Sequence, residues 1–300
     1  MNCLKEYTVI LLIMEVAFIS GKGGTGKSCI SSAFISIAKQ VIAVDCDVDA
    51  ANMYLIFPQT NKKESAYISG KHAFIDQSKC TQCGLCEQLC RFDAVKKVLG
   101  KIEIDTVSCD GCALCYRECP SNAIQMINSD KSKLYYGDFR YGKIIYGRLA
   151  PGEENSGKFV SVIRQYAKEQ AEKNNIDTII LDGPPGIGCP VMSTITGVDK
   201  VVIITEPSMS GLSDMKRTID VANEFVKDIY VIINKYDLNL DVVNVIKEYC
   251  SEMNINIIAY LPFDKQIVDA MIEGKTIIEY NSSSDIAKKI NDAYQIVFNS

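Results

Sequence analysis

Two sets of residues could do chemistry by their types and spacing. The first is Gly21-Lys22-Gly23-Gly24-Thr25-Gly26-Lys27-Ser28. It fits G-x-x-x-x-G-K-[ST], in which glycines let backbone N–H groups close on phosphate oxygens. Lys27 then reaches the outer phosphates and the Ser28 hydroxyl binds Mg²⁺. The second set is Cys80-x2-Cys83-x2-Cys86-x3-Cys90, followed by Cys109-x2-Cys112-x2-Cys115-x3-Cys119-Pro120. Each later cysteine lies 29 residues after its counterpart, Cys109 after Cys80 and Cys119 after Cys90, so the segment is an internal repeat. Tight C-x2-C-x2-C spacing turns three thiolates onto one metal centre, and Gly84 and Gly111 ease the turns. Zinc also takes C-x2-C pairs, but it does not require a triplet plus one, twice.

Lys22 makes the loop more specific, because a P-loop needs no lysine at its second position. The stretch resembles the deviant Walker A motif of the MinD/ParA ATPases, which include the nitrogenase iron protein. That resemblance implies ATP and Mg²⁺ as ligands and a nucleotide-bridged homodimer in which Lys22 acts in trans. Val41 to Asp49 is an apolar run ending in carboxylates, as at the C-terminal edge of a parallel strand. By position Asp47 resembles the family's switch I aspartate, which orients the attacking water, with Asp45 nearer the Mg²⁺ shell. Thr178 to Gly186 resembles Walker B and switch II, which implies Asp182 on Mg²⁺ through a water and the Gly186 backbone sensing the γ-phosphate. Asn234 resembles the residue that hydrogen-bonds adenine, and Pro262 and Phe263 the walls of the base site. Lys22, Lys27 and Asp47 are thus the catalytic candidates. Gly21, Gly23, Gly24, Thr25, Gly26 and Ser28 join the two lysines in cradling nucleotide.

The cysteine runs resemble a bacterial two-cluster ferredoxin. The resemblance implies one [4Fe–4S] cluster on Cys80, Cys83, Cys86 and Cys119, and another on Cys109, Cys112, Cys115 and Cys90. Arg91 departs from the usual proline after the fourth cysteine. Cys189 follows Asp182 at the offset of an iron-protein cluster cysteine, but no second cysteine lies between Gly147 and Gly157. It reads either as a small buried thiol or as an interface thiolate holding a labile cluster or metal. His72, the only histidine, is assigned no role.

These residues need elements to hold them. A β-rich run from Val16 to Ser20 enters the glycine loop and a helix from Cys29 to Lys39 leaves it. The 300 residues, 47% hydrophobic, suffice for one large α/β domain and a small one. The fold class expected is a P-loop α/β domain with a mostly parallel sheet and an inserted α+β ferredoxin-like domain. The parts are 1–71 and 131–300 for the ATPase and 72–130 for the insert, which leaves the fold just after Asp47. Leu134–Gly137 and Lys143–Gly147 read as a strand pair. Phe159–Lys173, Ser208–Val226, Leu240–Tyr249 and Asp285–Val297 read as helices, and Val201–Pro207 and Ile229–Lys235 as central strands. Residues 1–13 look superfluous, with Met14 the expected initiator and an extra N-terminal strand the alternative.

A net charge of −5 argues against a nucleic-acid-coating surface. The apolar run from Val9 past Glu15 to Ile19 is too short to span a bilayer, and the last helix carries only Lys288 and Lys289 as basic residues. A cytoplasmic protein with neither nucleic acid nor membrane as partner is expected. Three functions are open: an ATP-gated dimer passing electrons to a redox or metallocofactor-assembly partner, an iron–sulfur scaffold or carrier, and a ParA-type positioning ATPase. The glutamine amidotransferase domain of cobyrinic acid amide synthases, which share the nucleotide-binding fold, has no counterpart in the sequence.

Overall fold

Uninterrupted runs of Val, Ile, Leu and Ala mark strands covered on both faces. In the computed structural model, which describes residues 12–299, such runs form the middle of one sheet. The expectations about residues before Met14 fall on 1–11, outside the described residues. The chain begins with β1 (Met14–Ser20), α1 (Lys27–Ala38), β2 (Val41–Asp45), α2 (Met53–Ile56) and β3 (Thr60–Tyr67). It continues through β4 (Gly70–Ile75), α3 (Leu85–Leu89), β5 (Val95–Val98), β6 (Lys101–Ile104), α4 (Leu114–Arg117) and β7 (Ile124–Ser129). Then come β8 (Ser132–Phe139), β9 (Gly142–Arg148), α5 (Ser156–Asn174), β10 (Thr178–Pro185), α6 (Cys189–Ile195), β11 (Lys200–Thr205) and α7 (Met209–Asn223). The last stretch is β12 (Asp228–Asn234), α8 (Leu240–Glu252), β13 (Asn256–Leu261), α9 (Lys265–Ile272), α10 (Ile277–Tyr280) and α11 (Asp285–Asn299).

The large sheet has the order β13-β12-β11-β1-β10-β2-β9-β8-β3. Strands β13 to β9 pair in parallel, and β8 and β3 extend the sheet through antiparallel pairings. One face of β1 and β2, with Ala17, Ile19, Ile42 and Val44, packs under α5, α7 and α8. The other, with Val16, Phe18, Val41 and Ala43, packs under α1 and α11. Ile286, Ile290, Ala293 and Val297 of α11 are buried against it, as their spacing predicts. Glu15, an acid buried in β1, is held by a bidentate pair with Arg164 of α5, whose guanidinium also caps the carbonyls of Ser193 and Thr196.

The cysteine segment stands apart as a satellite of two small antiparallel ladders, β4 with β7 and β5 with β6, around Ala73, Ile75, Val95, Ile102 and Ile124. Its backbone repeats with the period of the cysteines. Positive φ recurs at Gln82 and Gly111, at Gly84 and Ala113, and at Asp93 and Asn122. The bond from Asp76 N–H to the Ala123 carbonyl (2.7 Å) has its twin in that from Asp105 N–H to the Ala94 carbonyl (2.7 Å). Each ladder pairs one strand from each half, so the halves are exchanged about a pseudo-twofold axis.

One expectation is corrected. The cysteine segment does not leave the main fold just after Asp47: α2 and β3 intervene, and β3 is the far edge of the large sheet. Thr60–Tyr67 is exposed along all but its last residue. Without a buried face it shows no apolar period, which is why the sequence does not announce it.

The β8–β9 turn is tied to α10 through Glu279, which accepts from Arg140, the Tyr141 hydroxyl (2.8 Å) and the Thr276 N–H (2.7 Å). Burial would raise the Glu279 carboxyl, but these bonds outweigh it and hold it at about 2, against an ordinary 4.5. A lowered folded-state pKa adds stability that is complete above the unfolded value and lost as pH falls through the folded one. The Tm gap between wild type and Glu279→Gln, followed by scanning calorimetry, is therefore full above pH 4.5 and shrinks toward pH 2. A gap independent of pH contradicts the clamp.

Candidate functional site

The glycine loop joins β1 to α1 at the C-terminal edge of the sheet. Gly26 caps α1 with φ 91°, and a Cβ there would collide with the Asn234 side chain. That side chain, buried at the end of β12, donates from Nδ2 to the Thr25 carbonyl (2.8 Å) and accepts from Lys235 N–H (3.0 Å). Asn234 therefore braces the loop and keeps one amide hydrogen uncommitted to it. Gly23 and Gly24 are exposed, leaving loop N–H groups open to a ligand.

Asp45 on β2 and Asp182 on β10 are register partners, and both are 1% exposed. Lys27 Nζ lies 2.8 Å from Asp182 Oδ1; Ser28 Oγ donates to Oδ2 (2.6 Å) and Ser31 Oγ to Oδ1 (3.0 Å). Asp45 accepts from the N–H groups of Asn52 (2.8 Å) and Met53 (3.0 Å). Burial, and then the charge of Asp182, push the Asp45 carboxyl up to about 7 against the pull of those amides and Lys27. Burial also raises Asp47, which accepts from Ala50 N–H (3.3 Å). Ser28, Asp45 and Asp182 are thus a set of hard oxygens short of positive charge, the donor chemistry Mg²⁺ prefers.

The expected γ-phosphate sensor is occupied: Gly186 N–H donates to the Ser20 carbonyl (2.9 Å). Lys22 is occupied too. Its Nζ lies 2.7 Å from Glu206 and reaches Ser208 Oγ (3.2 Å) and Ser210 Oγ (3.1 Å). Lys235 shares Glu206 at 3.2 Å. Burial would raise that carboxyl, but the bonds from Lys22 and Lys235 outweigh it and hold it below its ordinary value. Sequence reasoning passed over Glu206; the available signal was an acid just beyond a buried strand end. Pro262 and Phe263 follow β13, with Phe263 N–H on Asp237 (2.8 Å) and its ring 58% exposed.

The eight thiols sort into two cavities. Cys80, Cys83, Cys86 and Cys119 line one with Ile75, Ile102 and Ile124. Cys109, Cys112, Cys115 and Cys90 line the other with Ala73, Phe92 and Val95. Each triplet is completed by the fourth cysteine of the other run. Ala123 N–H points at Cys119 Sγ (3.3 Å) and Ala73 N–H at Cys109 Sγ (3.5 Å). Burial, then the neighbouring Cys109, push Cys115 up to about 11, so its thiolate is disfavoured unless positive charge joins it. They line walls rather than converge: among the described residues no three Cys, His, Asp or Glu side chains are close enough to hold a single ion. Cys189, exposed at the start of α6, packs against Gly157, within the stretch where a second cysteine is missing.

Residues 16–277 match the model of the CobQ/CobB/MinD/ParA nucleotide binding domain. An uncharacterized protein of Methanocaldococcus jannaschii is 34% identical over 291 residues, covering 95% of this chain and 96% of that one. The septum site-determining protein MinD of Bacillus subtilis is 21% identical over 273 residues, covering 87% and 81%. The solved structure of MinD with Mg-ADP from Pyrococcus horikoshii matches with a TM-score of 0.55 at 18% identity, covering 95% of this chain and 96% of that one; that likeness shows the fold. Among the described residues no helix is long and apolar enough to cross a membrane.

Lys27→Ala removes the cation nearest two buried carboxylates, a loss worth about 3–5 kcal/mol. The expected protein melts several degrees lower, loses nucleotide binding by calorimetric titration, and recovers part of its Tm in Mg²⁺. Unchanged melting, or nucleotide affinity equal to wild type, contradicts this assignment.

Proposed function

The chain belongs to the CobQ/CobB/MinD/ParA nucleotide-binding family, and from that premise we propose that it is an ATP-hydrolysing iron–sulfur protein, a nucleotide-gated dimer that transfers electrons to a partner metalloprotein or cofactor-assembly protein. The observation that carries the reading is the partition of eight thiols into two apolar cavities, each completed by a cysteine from the other run. Thiols spread over a cavity wall suit a polynuclear cluster better than one tetrahedral ion. Cys80, Cys83, Cys86 and Cys119 would hold one [4Fe–4S] group, and Cys109, Cys112, Cys115 and Cys90 the other, in a ferredoxin-like insert at about residues 72–130. When bound, such groups supply one-electron chemistry.

Family members dimerise on ATP binding, and the resting contacts fit a switch of that kind. With nucleotide, Lys27 exchanges Asp182 for the phosphates, while Ser28 and Asp182 hold Mg²⁺. Asp47 orients the attacking water. Gly186 N–H leaves Ser20 for the γ-phosphate, and Lys22 leaves Glu206 for the partner's nucleotide. Pro262 and Phe263 wall the base, with the spare hydrogen of Asn234 beside it. The nitrogenase iron protein offers the nearest chemical precedent, with its cluster placed differently. In the scaffold or carrier reading, the exposed thiol of Cys189 would receive a labile cluster.

The named MinD relative favours a second reading, a ParA-type positioning ATPase. That reading leaves the paired thiol cavities without a role, and the net charge of −5 does not suit DNA.

One measurement separates these readings and a second tests the trans lysine that both share. Protein purified without oxygen should carry about eight iron and eight sulfide per chain, with about half lost in Cys83→Ser. ATPase activity in a protein devoid of iron and sulfide favours the positioning reading, and stoichiometric zinc without sulfide removes the clusters. Lys22→Ala should bind ATP as a monomer yet show no ATP-dependent dimer in sedimentation; an intact dimer removes the trans role.

A further inference from the structure

Segment 149–157, running from the end of β9 into the first turn of α5, touches three parts of the molecule that the proposed switch must connect. At its start, Leu149 N–H donates to the Val48 carbonyl (2.9 Å), next to Asp47. At its end, Gly157 packs against Cys189 at the head of α6; a Cβ there would stand 3.1 Å from that of Cys189. Between these points Glu153 accepts from three hydroxyls, those of Ser69, Ser129 and Ser132. Ser69 lies just before the satellite's first strand, Ser129 ends its last, and Ser132 opens β8. Asn155 Nδ2 adds a bond to the Ser69 carbonyl (3.3 Å) and Ala150 N–H one to Ser132 Oγ (3.0 Å).

The segment also touches the satellite itself. Gly152, at φ +77°, lies so close to the Val107 carbonyl that a Cβ would collide with it. Thr106, one residue earlier, accepts from Lys131 Nζ (2.9 Å) on the exit side. The Cys109 run is therefore the one that faces the nucleotide-binding body. Burial would raise Glu153, but the three hydroxyls outweigh it, so the carboxylate is charged and the clasp is charge-assisted. Beside it the Tyr67 hydroxyl is buried without a hydrogen-bond partner among the described residues, while its ring stacks on Phe159 of α5 at 3.9 Å.

We propose that segment 149–157 is a strap coupling the nucleotide site to the satellite, with Glu153 as the positioning residue that clasps both connecting strands. The proposal rests on the reading that ATP repositions Asp47 and switch II. Movement of Val48 or of the α6 head then pulls one continuous strap, and the clasp passes that displacement to Ser69 and Ser129 together, turning the satellite as a unit. A strap joined to only one connector would bend it instead. The covalent path through α2 and β3 is longer and follows the far edge of the sheet.

Hydrogen exchange read by mass spectrometry on the full chain, kept without oxygen, tests this with ADP and with a non-hydrolysable ATP analogue. In wild type the two nucleotides should give different protection at 70–75, 105–115 and 124–129. In Glu153→Ala that difference should vanish, with exchange in the connectors at least about tenfold faster, since even one of the three lost charge-assisted bonds is worth that factor. Nucleotide affinity should stay that of wild type. Glu153→Gln, which keeps an acceptor oxygen, should restore part of the difference. If Glu153→Ala does not fold, the double change Ser69→Ala, Ser129→Ala should give the same loss from the other side. A wild-type response preserved in the clasp variants overturns the strap, as does a wild-type satellite indifferent to a nucleotide that binds. Failure to bind either nucleotide overturns the proposed function and the strap with it, whereas absence of iron and sulfide strikes the cluster assignment alone.

Discussion

Two carboxylates side by side in a buried parallel sheet set the terms for the whole nucleotide site. Asp45 and Asp182 are in register at the C-terminal ends of β2 and β10, where water reaches neither. Buried like charges without a partner cost several kcal/mol, so positive charge has to be close by. In the resting protein Lys27 supplies it, with Ser28 and Ser31 donating to Asp182 and the amides of Asn52 and Met53 to Asp45. A nucleotide that draws Lys27 to its phosphates must then bring a replacement, and a divalent cation on Ser28 and Asp182 is the natural one. On the proposed function, the coupling of metal to nucleotide would follow from the electrostatics of this sheet edge as much as from the phosphates.

The satellite meets the same difficulty with a different element. Its thiols line two apolar cavities, and neither half of the repeat can complete a cavity alone. The exchange of strands between ladders explains why. Pairing β4 with β7 and β5 with β6 carries the tail of each half beneath the loop of the other, which delivers the fourth cysteine across the pseudo-twofold axis. The swap that gives a short segment two ladders and a shared apolar centre is also what partitions its thiols, so strand pairing and thiol placement have one cause.

Much of this was legible in the sequence because it is local. The P-loop residues sit within one turn, and the acids at strand ends follow apolar runs. The 29-residue repeat reports directly on a structural repeat, down to the paired positive-φ positions Gln82 and Gly111. What was not legible depends on residues far apart or on exposure. Asn234 braces the Thr25 carbonyl from across the sheet, a contact with no local pattern. Glu206 and Glu153 carry no local signal, because their roles rest on Lys22 and Lys235 and on three serines distant in sequence. Strand β3 is nearly all exposed and mostly polar, so it was invisible to periodicity, and with it went the true path from Asp47 to the satellite.

The resting contacts of Lys22 bear on how the switch can be reversible. Its partner Glu206 is part-exposed, so the pair is worth at most about 1 kcal/mol after screening. Lys22 can therefore leave at small cost, far less than breaking the buried Lys27–Asp182 pair would entail without replacement. Nor does Glu206 become unpaired when it goes, because Lys235, also bonded to the Gly24 carbonyl, stays at 3.2 Å. One weak ion pair and two serine hydroxyls thus order the lysine, and a second cation would keep Glu206 paired if Lys22 swung outward. A stronger cis pair would oppose the dimer, and none at all would leave a long side chain to be ordered on association at the full entropic cost. On the proposed trans role, Lys22 lies near the middle of that range, ordered yet free to change partners.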